Sequence, residues 1–307
     1  MTRTSGRTKI AVEATREFSP RLDRVRLDIR GELFRAVLLF SILLGVVTLA
    51  TLLIFVTVRG SDRLDLKLFT QMPSSIDTST SGFLPAIVGS AYVMIGTLVT
   101  IVPLGVSAAV YLEEYADRDK WYNRVIEVNI QNLAAVPSIV FGILGLAFIV
   151  RGPLNLGFVA FAGSLTLAMM VLPTVIIAAR EAIRSVPPTL RDASLGLGAT
   201  QWQTTWRQVL PLSIPGIVTG TILAMSRAIG ETAPLLLVGA TTFVRFLPES
   251  AFSGAYSAIP VQIFQWAVRP QEEFRILAAA GALVLVALLL VMNGFAIWLR
   301  AKTSRQF

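Results

Sequence analysis

The sequence predicts an all-α polytopic membrane protein with six transmembrane helices, and three observations support this prediction. Hydrophobic residues make up 54% of the 307 residues and charged residues only 15%, whereas a soluble domain carries about 25% charged residues. The mean hydropathy is +0.69. Six apolar runs reach the ~20 residues that a helix needs to cross a bilayer core about 30 Å thick.

The apolar runs predict a membrane domain over residues 36–299 with short connections. The first two runs contain no charged residue, and only three residues separate the third from the fourth. Proline and glycine inside several runs do not exclude helices, because membrane helices tolerate both. The six spans are expected at residues 36–58, 83–112, 128–150, 154–179, 214–240 and 276–299.

The basic residues predict the orientation of these spans. Nineteen of the 27 Lys and Arg residues lie in the tails 1–35 and 300–307 and in the connections 113–127 and 180–213. Only seven lie in the connections on the opposite side. Because cytoplasmic loops are enriched in Lys and Arg, we expect both tails in the cytoplasm. The net charge of +8 then reflects topology and contact with membrane lipid, and no nucleic acid is expected as a partner.

The composition also excludes common kinds of catalytic chemistry. The sequence contains no cysteine and no histidine, which excludes disulfides, thiolate ligands for metals and imidazole acid–base catalysis. None of its four lysines lies in a G-x-x-x-x-G-K-[ST] phosphate-binding loop. We therefore expect no metal site, no cofactor of its own and no enzymatic activity, and any ATP must be bound by a partner chain.

The longest cytoplasmic connection, residues 180–213, predicts short helices. A proline pair at 187–188 ends the incoming span and suits the start of an amphipathic helix over 189–195. A second helix is expected over 201–209, with two tryptophans one turn apart on the same face. Such a protrusion suits either docking into another protein or lying at the membrane interface, where tryptophan is enriched.

The same connection resembles the EAA motif of ABC-importer permeases, commonly written E-A-A, three residues, G, nine residues, I-x-L-P. Asp192 replaces the usual glutamate, and Gln208 replaces an aliphatic residue. In that family the helix around the motif inserts into a cleft of the ATPase subunit and transmits its motion. The resemblance implies the type I ABC-importer permease fold with a coupling helix. The residues expected to couple to the ATPase are Asp192, Ala193, Ser194, Gly198, Leu210 and Pro211.

The fifth predicted span contains two charged residues. Arg227 lies at the midpoint of 214–240, and Glu231 follows four residues later on the same helix face. An arginine at the bilayer centre costs ~3 kcal/mol on insertion scales, so it should face the bundle interior or a watery path. Three interpretations stay open: an arginine that steers an anionic substrate, a structural ion pair, or a pair that reaches a partner permease and gates the path.

The residues around this pair resemble one branch of the permease family. The sequence GETAPLL at 230–236, the sequence AVPSIVFG at 135–142 and the sequence YLEEY at 111–115 are similar to the A-type permease subunit of phosphate-specific (Pst) importers. The similarity runs from about residue 82 to residue 299. It implies a bacterial inner-membrane protein with Arg227, Glu231 and Thr232 in the substrate path.

The resemblance also implies partners and a function. The expected partners are a homologous C-type permease subunit, two copies of an ATPase subunit and a soluble phosphate-binding protein. The expected function is ATP-driven import of inorganic phosphate. The alternatives are a permease for sulfate or molybdate, or a secondary transporter that works without ATP. A secondary transporter predicts inverted repeats, and the sequence shows no clear one.

The third span supplies the remaining candidates. Asn132 either lines the path or makes polar contacts that cap the helix. Pro137 and Ser138 are expected to kink the span and are candidates for a gate. Glu113 and Glu114, at the end of the second span, are expected to be solvated loop charges.

Overall fold

The structure is a computed structural model that describes residues 29–117, 119–240 and 244–303. Most of the predicted N-terminal tail 1–35 and the last four residues of the tail 300–307 lie outside these ranges. Within them the chain is almost entirely helical. The β structure there consists of two isolated bridges, between Ala240 and Tyr256 and between Ser250 and Ser253.

The described residues form twelve α-helices, numbered here in chain order. They are α1 (Ile29–Gly60), α2 (Leu66–Thr70), α3 (Leu84–Val110), α4 (Trp121–Ala134), α5 (Ser138–Leu144), α6 (Ala160–Arg184), α7 (Pro188–Gly196), α8 (Gln201–Thr204), α9 (Leu210–Ile229), α10 (Ala233–Leu237), α11 (Ile259–Ala267) and α12 (Glu272–Thr303). A 3-10 turn (Ser61–Arg63) follows α1, and π-helical turns extend α3 to Tyr115, α5 to Val150 and α8 to Val209.

Within the described ranges, five helices are long and apolar enough to cross a membrane, and one bent pair makes a sixth candidate. The five are Arg30–Arg63, Leu84–Tyr115, Ala160–Arg184, Gln201–Ile229 and Glu272–Lys302, and the bent pair is Trp121–Ala134 with Ser138–Val150. Each predicted span falls largely on one of these segments. The predicted fold class, an all-α protein with six membrane helices, is confirmed.

The chain divides into two compact units, and the first of them ends at Phe55. The first contains most of α1, an uninterrupted apolar helix with Glu32 in its first turn. The second contains every other element. Its main core lies around α6, where Leu167 and Val171 pack in one cluster with Val93 and Ile101 of α3 and Ala228 of α9. Helix α6, which follows the connection 151–159, is thus the central element of the second unit.

The third predicted span is broken rather than continuous. Its two halves meet at an angle of 105°. Helix α4 ends at Ala134, and Pro137 is the N-terminal cap of α5 with a ψ of 137°. A proline has no N–H for a continuing helix and disfavours the helical conformation of the preceding residue. The break therefore lies at the proline.

The fifth predicted span differs from the expectation at both ends. Helix α9 ends at Ile229, because Gly230 caps it and Pro234 starts the next short helix, α10. In the other direction the helix is continuous from Gln201. The helix predicted over 201–209 is therefore the first part of this span and not a separate element. Arg227 lies in the last turn of α9 and not at the helix midpoint.

The second halves of the two interrupted spans pack against each other. Helix α5 contacts α10, and a Cβ atom built on Gly142 would lie 2.7 Å from the Cα atom of Pro234. No side chain fits in this space, since real Cβ atoms do not approach backbone so closely. The close contact fixes the segment after the predicted kink against the segment after Glu231.

Replacing Gly142 by alanine should therefore destabilise the protein. The added methyl group would force α5 and α10 apart, and overpacking of this kind costs about 1–3 kcal/mol. Thermal unfolding of the purified protein in detergent measures the change. Gly294→Ala is the matched control, because a Cβ atom at Gly294 of α12 meets no atom within 4 Å. Equal unfolding temperatures for the two variants would contradict the close packing.

Candidate functional site

The residues of the EAA-like motif form a sharp corner between α7 and α8. Leu197 caps α7, and Gly198 adopts a φ of +84°. The N–H of Gly198 donates to the carbonyl of Leu195 (2.9 Å), and the N–H of Ala199 donates to the carbonyl of Ser194 (3.2 Å). This pair of hydrogen bonds is the Schellman motif, which ends a helix through a residue in the left-handed conformation. The motif glycine is therefore required by the backbone.

The start of α8 closes the corner from the other side. Thr200 accepts a hydrogen bond from the N–H of Gln203, whose side chain in turn accepts one from the N–H of Thr200. This reciprocal pair is a capping box. The hydroxyls of Ser194 and Thr204 are hydrogen-bonded at 2.9 Å across the corner. We call residues 188–204 the coupling corner.

Gly198→Ala should loosen the coupling corner. A residue with a Cβ atom pays roughly 1–2 kcal/mol for the left-handed conformation, so the amides of residues 188–204 should exchange with solvent about tenfold faster. Hydrogen–deuterium exchange measures this rate. Gly196→Ala is the control, because Gly196 ends α7 without a positive φ and also has open space around it. Equal exchange in both variants would contradict the structural role of Gly198.

Arg191 joins the coupling corner to the ends of two membrane helices. Its Nε and Nη2 atoms donate to Oε1 of Glu114, at 3.1 and 2.9 Å. Its Nη1 atom donates to the carbonyl of Val186 (2.6 Å), and Nη2 also donates to the carbonyl of Ile183 (2.8 Å). These carbonyls lie at the C-terminal end of α6, where helix carbonyls lack partners within the helix. One guanidinium therefore connects α7, the end of α3 and the end of α6.

A second group of charges lies beside this contact. Arg180 of α6 donates to Glu113 through Nε and to Glu127 of α4 through Nη2, both at 2.8 Å. Arg184 adds a contact of 2.7 Å to the same Glu113 oxygen. Because charged hydrogen bonds of this kind are strong, they fix the relative positions of α3, α4 and α6. We call Arg180, Arg184, Glu113 and Glu127 the charge cluster.

The expectation that Glu113 and Glu114 are solvated loop charges is wrong. Their side chains are only 3% and 8% exposed. They continue α3 as a π-helical turn instead of entering a loop, which directs both carboxylates toward the arginines of the 180–213 connection. Sequence reasoning missed Arg180 and Arg191 as partners. Two adjacent glutamates at a helix end, with four arginines in one connection, were the available signal.

Glu113→Gln should destabilise the fold strongly. It removes the negative charge between two guanidinium groups, and breaking a buried ion pair on one side costs about 3–5 kcal/mol. Unfolding of the detergent-solubilised protein in increasing denaturant measures the loss. The control is Glu181→Gln, whose carboxylate is exposed and pairs only loosely with Arg184, at 3.4 Å. Such exposed pairs contribute ~0.5 kcal/mol, and similar losses for both variants would disprove the distinction.

The outward face of the coupling corner is exposed and partly apolar. Asp192, Ala193 and Gly198 are exposed, and Leu197 at the tip is 90% exposed. Trp202 and Trp206 stack with their ring centroids 5.5 Å apart. As predicted, the two tryptophans lie on the same face of the helix, and both rings are exposed. Ser194 is half-buried through its contact with α8.

The last two motif residues lie where the extension becomes α9. Leu210 is half-buried against a small core that contains Ile183 and Val209. Pro211 is exposed at the point where the π-helical extension from α8 passes into α9. It borders a groove of about 780 Å³ between α6 and α9, close to the end of α12. Other residues on this groove are Ala178, Ala182, Gly216, Gly220, Leu223 and Arg300.

One face of α9 leads from this groove to Arg227. Gly216, Gly220, Leu223 and Arg227 follow at spacings of four, three and four residues, which places them on the same side of a helix. Leu223 and Arg227 are both exposed. A rise of 1.5 Å per residue puts Arg227 about 6 Å beyond the groove residue Leu223. The arginine thus lies on the continuation of the groove.

Arg227 and Glu231 form the expected i,i+4 pair, with 3.7 Å between Nε and Oε1. The arginine side chain is 59% exposed and that of Glu231 only 19%. Thr232 is half-buried at the start of α10, and its carbonyl accepts the N–H of Leu236 at 3.0 Å. The pair therefore lies at the interruption of the span.

The candidates of the third span lie at the other interruption. Asn132 and Pro137 are exposed, and Ser138 is half-buried at the start of α5. Helix α5 packs against α10, the short helix that follows Arg227 and Glu231 in the chain. Across the described part of the chain, no hydrogen bond joins these three residues to Arg227 or Glu231. Nor do the described ranges contain a group of three or more acidic side chains that could hold a metal ion.

Comparison with known proteins defines the class to which this fold and site belong. Residues 101–305 match the family described as binding-protein-dependent transport system inner membrane component. The chain belongs to this family, and it is a multi-pass membrane permease, a transport subunit rather than an enzyme.

Individual relatives narrow the resemblance. The chain is 33% identical to the phosphate transport system permease protein PstA of Yersinia pestis over 253 residues, which cover 82% of this chain and 84% of that protein. It is 32% identical to PstA of Mycobacterium leprae, with 92% of both chains covered. It is also 33% identical to the probable ABC transporter permease protein YqgI of Bacillus subtilis, covering 80% and 86%. The resemblance to permeases of the Pst type is confirmed.

Solved structures support the fold independently of the sequence. The permease of a bacterial alginate ABC transporter, crystallised with an alginate-bound periplasmic protein, superposes with a TM-score of 0.64 at 17% identity, covering 91% of this chain and 97% of that one. A chain of the inward-facing MetNI methionine ABC transporter gives a TM-score of 0.59 at 14% identity, covering 72% and 96%. The predicted ABC-importer permease fold is confirmed.

Proposed function

We propose that this chain is a permease subunit of an ATP-driven importer that moves inorganic phosphate across the cytoplasmic membrane. The observation that carries the proposal is the exposed guanidinium of Arg227 on the groove face of α9. The names of the Yersinia and Mycobacterium relatives, whose chains are covered almost throughout, support phosphate as the substrate.

The geometry of Arg227 suits an oxyanion. Glu231 approaches the guanidinium at Nε, at 3.7 Å, and the group has two further nitrogens whose N–H groups are donors. The planar fork of arginine binds two oxygens of a tetrahedral anion at once. Because the arginine is exposed in the single chain, the path it serves lies against a second subunit. A homologous C-type permease is the proposed partner.

Glu231 gives this site a means of distinguishing anions. A carboxylate repels a fully deprotonated anion, but it accepts a hydrogen bond from the hydroxyl of hydrogen phosphate. Sulfate at neutral pH has no proton to donate. Glu231 therefore selects phosphate over sulfate, with Thr232 at the same interruption of the span. Sulfate or molybdate is the alternative substrate, because the fork of Arg227 fits any tetrahedral oxyanion.

The energy comes from a separate ATPase, two copies of which dock below the permease pair. One copy receives the coupling corner of this chain. Closure of the ATPase dimer on ATP moves the corner and opens the path outward, and hydrolysis returns it inward. Membership in the binding-protein-dependent family favours this mechanism over secondary transport. Both tails of the chain are then cytoplasmic.

A soluble phosphate-binding protein delivers the substrate from outside, to the connections 59–82 and 241–275. The first of these contains a loop that is stabilised by hydrogen bonds within it. Asp77 accepts hydrogen bonds from the N–H (2.9 Å) and hydroxyl (2.7 Å) of Ser79 and from the hydroxyl of Thr80 (3.1 Å). The bonds from Ser79 lower the pKa of Asp77 below its usual value. The neighbouring Ile76 is exposed at the tip of the loop, where an incoming protein would meet it.

Arg227→Gln should abolish ATP-dependent phosphate uptake by vesicles that contain the whole transporter. The loss of the bidentate charge removes about 2–4 kcal/mol at a site of this kind, or roughly 30-fold or more in rate. Arg227→Lys keeps the charge without the fork and should retain partial uptake. Uptake of labelled phosphate is the measurement. Uptake without ATP, or normal uptake by the glutamine variant, would refute the proposed function.

Glu231→Gln should change selectivity more than rate. Without the carboxylate, sulfate is no longer repelled, and the preference for phosphate over sulfate should fall about tenfold, close to the ~1.4 kcal/mol expected for one charged hydrogen bond. Competition of sulfate with labelled phosphate measures the preference. An unchanged ratio would mean that Glu231 only orients Arg227.

A further inference from the structure

We propose that Arg191 is the positioning residue through which movement of the coupling corner reaches the membrane helices α3 and α6. The proposal rests on the proposed function, because it assumes that an ATPase moves this corner. It assigns the transmission to one guanidinium and its carboxylate acceptor, Glu114.

The packing of α7 makes such a link necessary. None of its residues is buried. Its apolar contact with the rest of the chain runs through Leu190, which packs against the small core around Ile183 and Val209. A helix held by so little apolar contact can rock when it is pulled. The four hydrogen bonds of Arg191 are directional, and they hold α7 at a fixed position relative to α3 and α6.

Neighbouring residues of α7 lie on different faces of the helix, one exposed and one packed against the membrane helices. Asp192 and Ala193 are exposed on the face that is open to a partner, whereas Arg191 is half-buried against the membrane helices. Because Arg191 is adjacent in sequence to Asp192, a displacement of the exposed face moves Arg191 directly. Arg191, the residue immediately before the EAA-like motif, thus faces the membrane helices while the motif faces outward.

Glu114 accepts hydrogen bonds from both helices of the coupling corner, α7 and α8. Its carboxylate accepts the hydrogen bonds from Arg191 of α7, and its backbone carbonyl accepts one from the side chain of Gln201 at the start of α8. Because α7 and α8 meet at the same residue, the corner acts on the end of α3 as one body. The adjacent Glu113 is held in the charge cluster, which extends the connection to α4 through Arg180.

The first test separates coupling from stability in the complete transporter. In Arg191→Gln the ATPase subunits should still co-purify and hydrolyse ATP within about twofold of the normal rate, while phosphate import falls about tenfold, which is within the usual range of coupling between sites. Arg191→Lys should fall in between, because an ammonium cannot hold the carboxylate and two carbonyls in one plane. Arg124→Gln is the control, since Arg124 is an exposed arginine of α4 whose side chain makes no hydrogen bond or ion pair within the described ranges.

A double-mutant comparison identifies the partner. Glu114→Gln should reproduce the effect of Arg191→Gln, and the double variant should be no worse than either single variant, because the two residues act as one unit. Additive losses, a parallel fall of import and ATP hydrolysis with loss of the ATPase, or import equal to that of Arg124→Gln would each overturn the proposal.

A second readout does not depend on the substrate. The natural chain lacks cysteine, so spin labels can be placed at Thr189→Cys on α7 and Leu104→Cys on α3, both exposed positions. In the assembled transporter the distance between them should stay narrow and unchanged when ATP is added, and it should broaden in Arg191→Gln. An equally narrow distribution in that variant overturns the proposal. A narrow wild-type distribution without any phosphate uptake overturns only the proposed function.

Discussion

Ion pairs between arginines at the end of one membrane helix and just after it, and glutamates at the end of another, determine how this protein is organised. Glu113 and Glu114 extend α3, and Arg180, Arg184 and Arg191 approach them from α6 and α7. Arg180, Glu113 and Glu114 are largely buried, so the removal of any one of these charges is strongly destabilising. The coupling corner, the end of α6 and the start of α4 all take their positions from this arrangement.

The interruptions of the third and fifth spans add a second constraint. The third span breaks at Pro137, and the fifth ends at Gly230 before the short helix that contains Pro234. The helices after the two breaks pack together at Gly142 and Pro234. A shift at one break is therefore felt at the other. This contact joins the segment after the candidate gate at Pro137 to the segment after Arg227 and Glu231.

Much of the fold could be predicted from the sequence, because length and apolarity alone identify membrane helices. The six spans, the proline break and the short helix before Gly198 follow from such local rules. The burial of Glu113 and the contacts of Arg191 could not be predicted, since burial of a charge depends on partners from distant parts of the chain. The end of α9 at Ile229 was missed for a related reason: hydropathy does not register a helix interruption within an apolar run. The i,i+4 spacing of Arg227 and Glu231 was sufficient to predict their contact.

The exposure of Arg227 has a consequence for how the transporter is made. In the single chain this guanidinium is exposed, and an arginine that meets hydrocarbon costs up to ~3 kcal/mol on insertion scales. In the proposed pairing, burial against a second permease removes that cost, so the charge proposed to serve transport also penalises the unassembled subunit. An orphan copy is then the least stable form of the protein, and membrane proteases that recognise loosely held helices would remove it first. If the proposed pairing holds, the same arginine links the survival of this chain to the matched synthesis of its partner.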